Sequence, residues 1–217
     1  METKPVELEV WSDIACPWCW VGLKNLQAAQ ELYDGEVAVT WRSFELNPNA
    51  DKSVSERSDY VGKLAAKYQV TTTEAQAMVD RMTQTGATKG IDFRFDRIKP
   101  SNTFNAHRLL AWARTLGQQN VLKEKLFSSY LHEGLSLNDS AVLTKAVAEV
   151  GLDAQEAETV LSSDAYADSV LRDRTDAQAL GVSGVPFFLV NSHVSLSGAQ
   201  PPEIITKALL DTQASKP

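Results

Sequence analysis

Cysteine and histidine are scarce in this sequence of 217 residues, which contains two cysteines and three histidines. A structural zinc site needs four ligands, but Cys16 and Cys19 have no second cysteine pair, and the histidines lack the usual ligand spacing, so we expect no metal site. A bridge between residues three apart closes almost no loop and would stabilise the fold little. Two buried thiols acting as small apolar side chains stay an alternative, but a redox-active pair is favoured.

Long apolar runs and excess positive charge are also missing. No stretch is long enough to cross a bilayer, and the formal net charge is −7, so we expect neither a membrane nor a nucleic acid as a partner. Residues 1–9 have no apolar stretch of the kind found in secretory signals, and we therefore expect a cytoplasmic protein. In a reducing compartment, an isolated Cys-x-x-Cys pair is more often catalytic than structural.

A strand, a helix and a second strand are predicted around the two cysteines. Residues Val6–Trp11 and Val37–Phe44 alternate apolar and polar side chains, as strands do. Between them, apolar positions predict a helix from about Cys16 to Tyr33. A strand–helix–strand unit of this length predicts two parallel strands with a right-handed crossover.

Helical patterns fill the middle of the chain, and no strand is predicted between about Asp51 and Gly181. The expected helices are Ser53–Tyr68, Thr73–Thr85, Thr103–Leu116, Asn120–His132, Ser140–Val150, Asp153–Leu161 and Ala165–Leu180. Their apolar stripes indicate the core of a helical subdomain rather than a ligand site.

Strand character returns near the C-terminus, at Gly184–Asn191 and Val194–Ser197, and a last helix is predicted at about Glu203–Asp211. The order β-α-β, helical insertion, β-β-α predicts an α/β fold with a mixed four-stranded sheet. The cysteines then follow strand 1 at the carboxyl end, where such sheets place their sites. The expected division is 1–50 and 165–217 for the sheet domain and 51–164 for the helical insertion.

The cysteines fall in the first turn of the first helix. Two thiols three residues apart lie on one face of that turn, close enough to form a disulfide. The positive end of the helix dipole favours a thiolate, so we predict a lowered pKa for Cys16, while the deeper Cys19 keeps its proton longer. Cys16 is then the attacking thiol and Cys19 the resolving one. Pro17 suits the first helical turn because it lacks an N–H group.

Three motifs resemble the DsbA-like branch of the thioredoxin superfamily, and in particular its FrnE subgroup. They are Val10-Trp-Ser-Asp-Ile-Ala-Cys-Pro-Trp-Cys-Trp-Val-Gly22, Gly184-Val-Pro-Phe-Phe188 and Leu196-Ser-Gly-Ala-Gln-Pro-Pro202. The resemblance extends over nearly the whole chain. It implies a thioredoxin-like fold and a protein disulfide oxidoreductase whose catalytic residues are Cys16 and Cys19. Its implied partners are thiols and disulfides of proteins or small molecules.

The resemblance also implies a cis peptide bond between Val185 and Pro186, beside the thiols. Because Pro186 has no N–H group, the backbone of Val185 would be free to pair with an extended substrate. The alternative is a proline that simply begins a strand. Strongly oxidising DsbA relatives carry histidine where this chain has Trp18, whose indole offers no positive charge. We therefore predict a less oxidising reduction potential.

A sibling group leaves a second function open. The 2-hydroxychromene-2-carboxylate isomerases and kappa-class glutathione transferases share the inserted-helix architecture, have serine in the place of Cys16 and bind glutathione. The two cysteines argue against a glutathione-dependent isomerase or transferase here. Glutathione could still serve as a ligand or reductant, and no other cofactor is expected. Its contacts would be the backbone of Val185, Asn102 or the turn Ser197–Gln200, although Asn102 also suits a helix cap.

The remaining aromatic and histidine residues are expected to be structural. Trp11 and Trp20 flank the cysteine motif and are predicted to pack in the core. His107 is predicted to pack on a helix, and His132 and His193 are predicted to face solvent.

Overall fold

A computed structural model describes residues 4–54 and 59–214 of the chain. In this part of the chain the strands are β1 (Val6–Ser12), β2 (Val37–Ser43), β3 (Phe187–Val190) and β4 (Val194–Ser197). The helices are α1 (Pro17–Leu32), α2 (Tyr60–Tyr68), α3 (Thr72–Ala87), α4 (Phe104–Thr115), α5 (Gln119–Phe127), α6 (Ser140–Glu149), α7 (Ala154–Leu161), α8 (Ala167–Ala179) and α9 (Pro202–Ala214). A 3-10 turn spans Phe95–Arg97, and a π-helical turn spans Ser128–His132.

The strands form one mixed sheet in the order β2-β1-β3-β4. β1 runs parallel to β2, with Val6 opposite Val37, as the strand–helix–strand pattern predicts. β3 runs antiparallel to both β1 and β4. The predicted mixed four-stranded sheet is therefore confirmed.

Alternation along β1 explains why helices cover both faces of the sheet. Val6, Leu8 and Val10 are buried and belong to the main apolar core, to which α1 and α9 also contribute. Successive strand residues point to opposite faces. Trp11 therefore joins a smaller cluster on the other face, with Ala177 of α8.

The helical region between β2 and β3 contains no strand in its described residues, as predicted. Two of its helices differ from their predicted extents by more than two residues at one end. The expected helix Ser53–Tyr68 begins only at Tyr60, because Asp59 Oδ1 accepts the Gly62 N–H at 2.8 Å and caps α2. Residues 55–58 lie outside the described part of the chain. The expected helix Asn120–His132 is α-helical only as far as Phe127, where α5 ends, and the π-helical turn Ser128–His132 continues it. The boundaries of the insertion, at residues 51 and 164, stay a prediction.

The insertion closes the outer edge of the sheet through Gln119. The Trp41 N–H donates to Gln119 Oε1 at 3.0 Å, and Gln119 Nε2 donates to the Trp41 carbonyl at 2.9 Å. The primary amide thus pairs with β2 as a neighbouring strand would. Both residues are buried, so these backbone groups would otherwise have no access to water.

We predict that Gln119→Leu lowers the free energy of unfolding by about 2–4 kcal/mol, because it leaves two buried backbone groups unpaired. Gln118→Leu is the matched control, because it makes the same side-chain change one residue earlier. The side chain of Gln118 is exposed. Urea unfolding of both variants measures the difference. Equal stabilities for the two variants would contradict this role of Gln119.

Candidate active site

Cys16 lies at the point where the loop after β1 enters α1. Its backbone is extended, with φ −97° and ψ 110°, and Pro17 is the first residue of the helix. The Cys16 N–H donates to the Asp13 carbonyl at 3.2 Å, and the Cys19 N–H donates to the Cys16 carbonyl at 3.0 Å. Both thiols are free. Cys16 is 5% exposed and Cys19 is 0% exposed, so an approaching substrate meets Cys16 first.

The segment before β3 returns the chain to this helix start. The Val185–Pro186 peptide bond is cis, and Cys16 Sγ lies 3.6 Å from the Val185 carbonyl oxygen. Gly22 allows α1 to approach closely, because a Cβ atom there would lie 2.9 Å from Pro186 Cγ. The structure thus brings Cys16, Val185 and Pro186 together from opposite ends of the sequence.

The thiol pKa values are ordered opposite to the prediction. Hydrogen bonding with Cys19, together with burial, raises the pKa of Cys16 well above its ordinary value. Burial would also raise the pKa of Cys19, but hydrogen bonding from Cys16, the nearby Ser12 hydroxyl and the charge of Lys123 lower it. The prediction of a lowered pKa for Cys16 considered only the helix N-terminus and is wrong for this reduced pair. The thiol of Cys16 also faces an acceptor outside the pair, because its sulfur lies 3.6 Å from the Val185 carbonyl oxygen.

A buried carboxylate fixes the loop that carries Cys16. Asp13 and His107 are each 1% exposed, and Asp13 Oδ1 lies 3.3 Å from His107 Nε2. Asp13 Oδ2 accepts the Leu46 N–H at 2.8 Å. Burial would raise the pKa of Asp13, but hydrogen bonding and charge interaction with His107 lower it. Asp13 therefore ties together the loop after β1, the segment after β2 and α4.

Lys123 is a second buried charge near the thiols. It is 0% exposed, and it interacts electrostatically most strongly with Cys19. The sequence predictions missed Lys123 and Asp13, and treated His107 as a packing residue only. No sequence signal marked Lys123, because the burial of Gln119 and Phe127, one helical turn away on either side of it on α5, is known only from the structure.

Two depressions adjoin the cysteine motif. Trp18 is 38% exposed and lines a shallow one with Met78 and Met82 of α3. A groove of about 260 Å³ begins at Ala15, and its walls include Lys63 and Lys67 of α2. Both depressions therefore carry cationic side chains, Arg81 beside Trp18 in the first and Lys63 and Lys67 in the second.

The two other predicted glutathione contacts have structural partners. Asn102 is buried, its Oδ1 accepts the Phe104 N–H at 3.0 Å, and its amide nitrogen lies 3.3 Å from the carbonyls of Pro48 and Ala50. The N-cap of α4 is Thr103, so Asn102 closes the turn just before the helix, and its role is structural without being that of the cap residue. The turn Ser197–Gln200 is fastened to α1, because Asn25 Nδ2 donates to the Gln200 carbonyl at 2.9 Å.

Trp11 and Trp20 are buried, as predicted. Trp11 Nε1 donates to the Asp173 carbonyl at 2.9 Å, and Trp20 stacks on Phe127 with ring centroids 6.0 Å apart. In residues 4–54 and 59–214, no cluster of three or more histidine, cysteine, aspartate or glutamate side chains could hold a metal ion. No helix in that part of the chain is both long and apolar enough to cross a membrane.

Comparison with known proteins identifies the family. Residues 7–210 match the DSBA-like thioredoxin domain, and the chain therefore belongs to that family. It is 36% identical to the probable DsbA oxidoreductase SCO1869 from Streptomyces coelicolor, whose crystal structure matches with a TM-score of 0.90 over 98% of this chain and 92% of that one. The thioredoxin-like fold with a helical insertion is thereby confirmed, whereas assignment to the FrnE subgroup stays a prediction.

Two more distant relatives match over almost their whole length. The uncharacterized protein YwbO of Bacillus subtilis is 25% identical over 213 residues, which cover 97% of this chain and 99% of that protein. The cytosolic disulfide reductase DsbM from Pseudomonas aeruginosa, in its structure with GSH, matches with a TM-score of 0.67 at 18% identity, over 97% of this chain and 100% of that one. At that identity the structural match shows the shared fold alone.

We predict that Asp13→Asn lowers the free energy of unfolding by about 2–3 kcal/mol at neutral pH, because the amide nitrogen replaces one buried acceptor with a donor. The pKa of Asp13 is lowered in the folded protein. Its contribution is therefore complete above the pKa of the unfolded carboxyl and is lost as the pH falls through the lower folded pKa.

Urea unfolding should accordingly show a constant gap between wild type and Asp13→Asn above about pH 5 and a shrinking gap below about pH 4. Asp176→Asn, at an exposed position, is the control and should leave stability nearly unchanged. A gap of the same size at the lowest pH would contradict the lowered pKa of Asp13.

Proposed function

We propose that this chain is a thiol–disulfide oxidoreductase that exchanges disulfides through the dithiol Cys16-Pro-Trp-Cys19. The observation that carries the proposal is the position of Cys16 at the start of α1, with its sulfur 3.6 Å from the Val185 carbonyl and Cys19 one turn deeper. Membership of the DSBA-like family and the 36% identity with SCO1869 support it.

When the enzyme donates its disulfide, a substrate thiolate attacks Cys16. The Cys16–Cys19 bond breaks, a mixed disulfide forms on Cys16, and Cys19 leaves as a thiolate. A second substrate thiolate then attacks the substrate sulfur and releases Cys16, so the substrate loses two electrons and the enzyme gains them. In the reverse direction Cys16 attacks a substrate disulfide and Cys19 resolves the mixed disulfide. The lowered pKa of Cys19 suits it both as the leaving group and as the resolving nucleophile.

Substrate binding is proposed at the surface around Cys16. The backbone of Val185, next to the buried Pro186, would pair with an extended peptide. Trp18, with its exposed indole against α3, would contact apolar side chains of that peptide. The less oxidising potential expected from Trp18 stays a prediction, as does a cytoplasmic location.

Glutathione is proposed as a small-molecule partner: its thiol form reduces the enzyme disulfide, and its disulfide form oxidises the enzyme dithiol. The supporting observation is the groove that starts at Ala15 and carries Lys63 and Lys67. Glutathione has two carboxylates, and two exposed ammonium groups at the wall of the groove are complementary to them. The solved structure of DsbM with GSH, which has the same fold, supports this partner.

We predict that Cys19→Ser abolishes multi-turnover disulfide exchange and accumulates a mixed disulfide on Cys16, because no thiol remains to resolve it. Intact-mass analysis after incubation with oxidised glutathione measures the adduct, and a dithiol–disulfide turnover assay measures activity. Cys16→Ser is the matched control and should show neither adduct nor activity, since Cys19 is fully buried.

Full activity in Cys19→Ser would contradict the proposal. It would favour the glutathione-dependent isomerase alternative, which has no use for a second thiol.

We predict that the double change Lys63→Gln and Lys67→Gln raises the KM for oxidised glutathione about 5- to 30-fold. Each exposed charge pair contributes up to about 1 kcal/mol. The KM for a neutral disulfide, bis(2-hydroxyethyl) disulfide, should not change. The control is Lys145→Gln with Lys207→Gln, which removes two exposed lysines elsewhere. An equal effect on both disulfides, or no effect on either, would show that the groove does not recognise the carboxylates.

A further inference from the structure

An open cavity of about 410 Å³ lies between α2, α3 and the 3-10 turn. Its floor is apolar, because the lining residues Val79, Phe93 and Phe95 are buried. The ring centroid of Tyr60 lies 4.8 Å from that of Phe95, which lies 5.3 Å from that of Phe93. Three neighbouring aromatic rings therefore line one cavity.

Three carboxylates surround the mouth of this cavity, one from each of the elements that form it. Asp59 precedes α2, Asp80 belongs to α3, and Asp96 belongs to the 3-10 turn. All three residues are exposed. Among the described residues, the lining contains no lysine or arginine. The cavity thus combines an aromatic floor with a negatively charged rim.

Two of the three carboxylates have uncharged hydrogen-bond donors. Asp59 Oδ1 accepts the Gly62 N–H at 2.8 Å, and Asp80 Oδ1 accepts from a glutamine amide one turn earlier on α3 at 2.8 Å. These donors leave the negative charge of both carboxylates in place. Asp96 differs, because its Oδ1 lies 3.4 Å from Arg94 Nε. Asp59 and Asp80 therefore carry the charge that a cationic ligand would meet.

The cavity adjoins the groove beside the active site. Tyr60 lines both the cavity and the groove that begins at Ala15, next to Cys16. The groove carries Lys63 and Lys67, so the two depressions share a wall and have opposite charge. A polypeptide that brings its sulfur to Cys16 along the groove has the cavity within the neighbouring surface.

We propose that this cavity is a subsite for an arginine side chain of the polypeptide substrate. The guanidinium group would lie against the rings of Tyr60 and Phe95 and donate to the carboxylates of Asp59 and Asp80. A guanidinium group suits this lining better than an ammonium group, because it is planar, stacks on aromatic faces and pairs with carboxylates through several N–H groups. The inference rests on the proposed oxidoreductase function and adds a preference for substrates with an arginine near the reacting cysteine.

The first test measures binding without turnover. The probe is N-acetyl-arginine methylamide, and its control is N-acetyl-citrulline methylamide, which has the same shape and an uncharged urea group. In an NMR titration of the wild-type protein labelled with nitrogen-15, the arginine probe should shift the amide signals of Val61, Thr83 and Phe95, which line the cavity. Its affinity should be at least about fivefold higher than that of the citrulline probe. Equal affinities, or shifts confined to other regions, would overturn the proposal.

A pair of variants tests the two carboxylates. Asp59→Asn with Asp80→Asn should reduce the affinity for the arginine probe to that for the citrulline probe. Asparagine caps a helix about as well as aspartate, so α2 is expected to keep its start. The control is Asp168→Asn with Asp176→Asn, which removes two exposed carboxylates of α8 and should keep the wild-type preference. An equal loss in both double variants would show an effect of overall charge and would overturn the proposal. The comparison of the two probes on the wild-type protein does not depend on a variant that folds.

A turnover assay tests whether the ligand is a side chain of the substrate. Two peptides with one disulfide are compared, which differ only in an arginine or a citrulline near a cysteine. The KM of the arginine peptide should be at least about fivefold lower, with the same kcat. Equal KM values, together with binding of the free arginine probe, would overturn the substrate assignment and indicate a free guanidinium compound as the ligand. Failure of both peptides to react would contradict the proposed oxidoreductase function, whereas the probe titration would still decide whether the cavity binds a guanidinium group.

Discussion

Packing of the start of α1 against the segment before β3 is the contact on which the candidate site depends. The contact needs a residue without a side chain at Gly22, since a Cβ atom there would lie 2.9 Å from Pro186. It also needs β3 to pair with β1, because that pairing returns the chain to the helix. Cys16 then faces the Val185 carbonyl at 3.6 Å. The sheet thus brings the two thiols and the Val185–Pro186 segment together from parts of the sequence that lie far apart.

The helical insertion does more than cover the sheet. Through Gln119 it pairs with the outer edge of β2, through His107 it binds the carboxylate of Asp13 that holds the cysteine loop, and through Lys123 it places a cation beside the rings of Trp41 and Phe127. Each of these side chains is buried. In a medium of low dielectric, such groups influence one another far more than they would at the surface. The helical region therefore contributes buried polar and charged groups to the surroundings of the thiol pair.

The fold followed from local patterns, because alternation in Val6–Trp11 and Val37–Phe44 and helical spacing after Cys16 reflect short-range geometry. Helix ends were less predictable, since the start of α2 depends on the Asp59 cap rather than on apolar spacing. The cysteines could be identified because their spacing carries the chemistry. Lys123 could not, because charge in a sequence normally indicates an exposed side chain.

The order of the thiol pKa values shows the same limit. A helix N-terminus is visible in the sequence and favours a thiolate on Cys16. The neighbours that decide the outcome come from the fold. Burial and hydrogen bonding with Cys19 raise the pKa of Cys16, and both depend on segments that the fold brings together. Local reasoning therefore located the cysteine pair but not the surroundings that shift the pKa values of its thiols.

The most direct test of the redox function is equilibration of the purified protein in glutathione buffers of graded potential, followed by acid quench, alkylation and intact-mass measurement. We predict one two-electron transition in which Cys16 and Cys19 pass together from disulfide to dithiol. The midpoint then shows whether the protein donates or removes disulfides under cellular conditions. Thiols that stay reduced and unmodified across the whole range would contradict the account, because the pair would then be a buried part of the core with no redox chemistry.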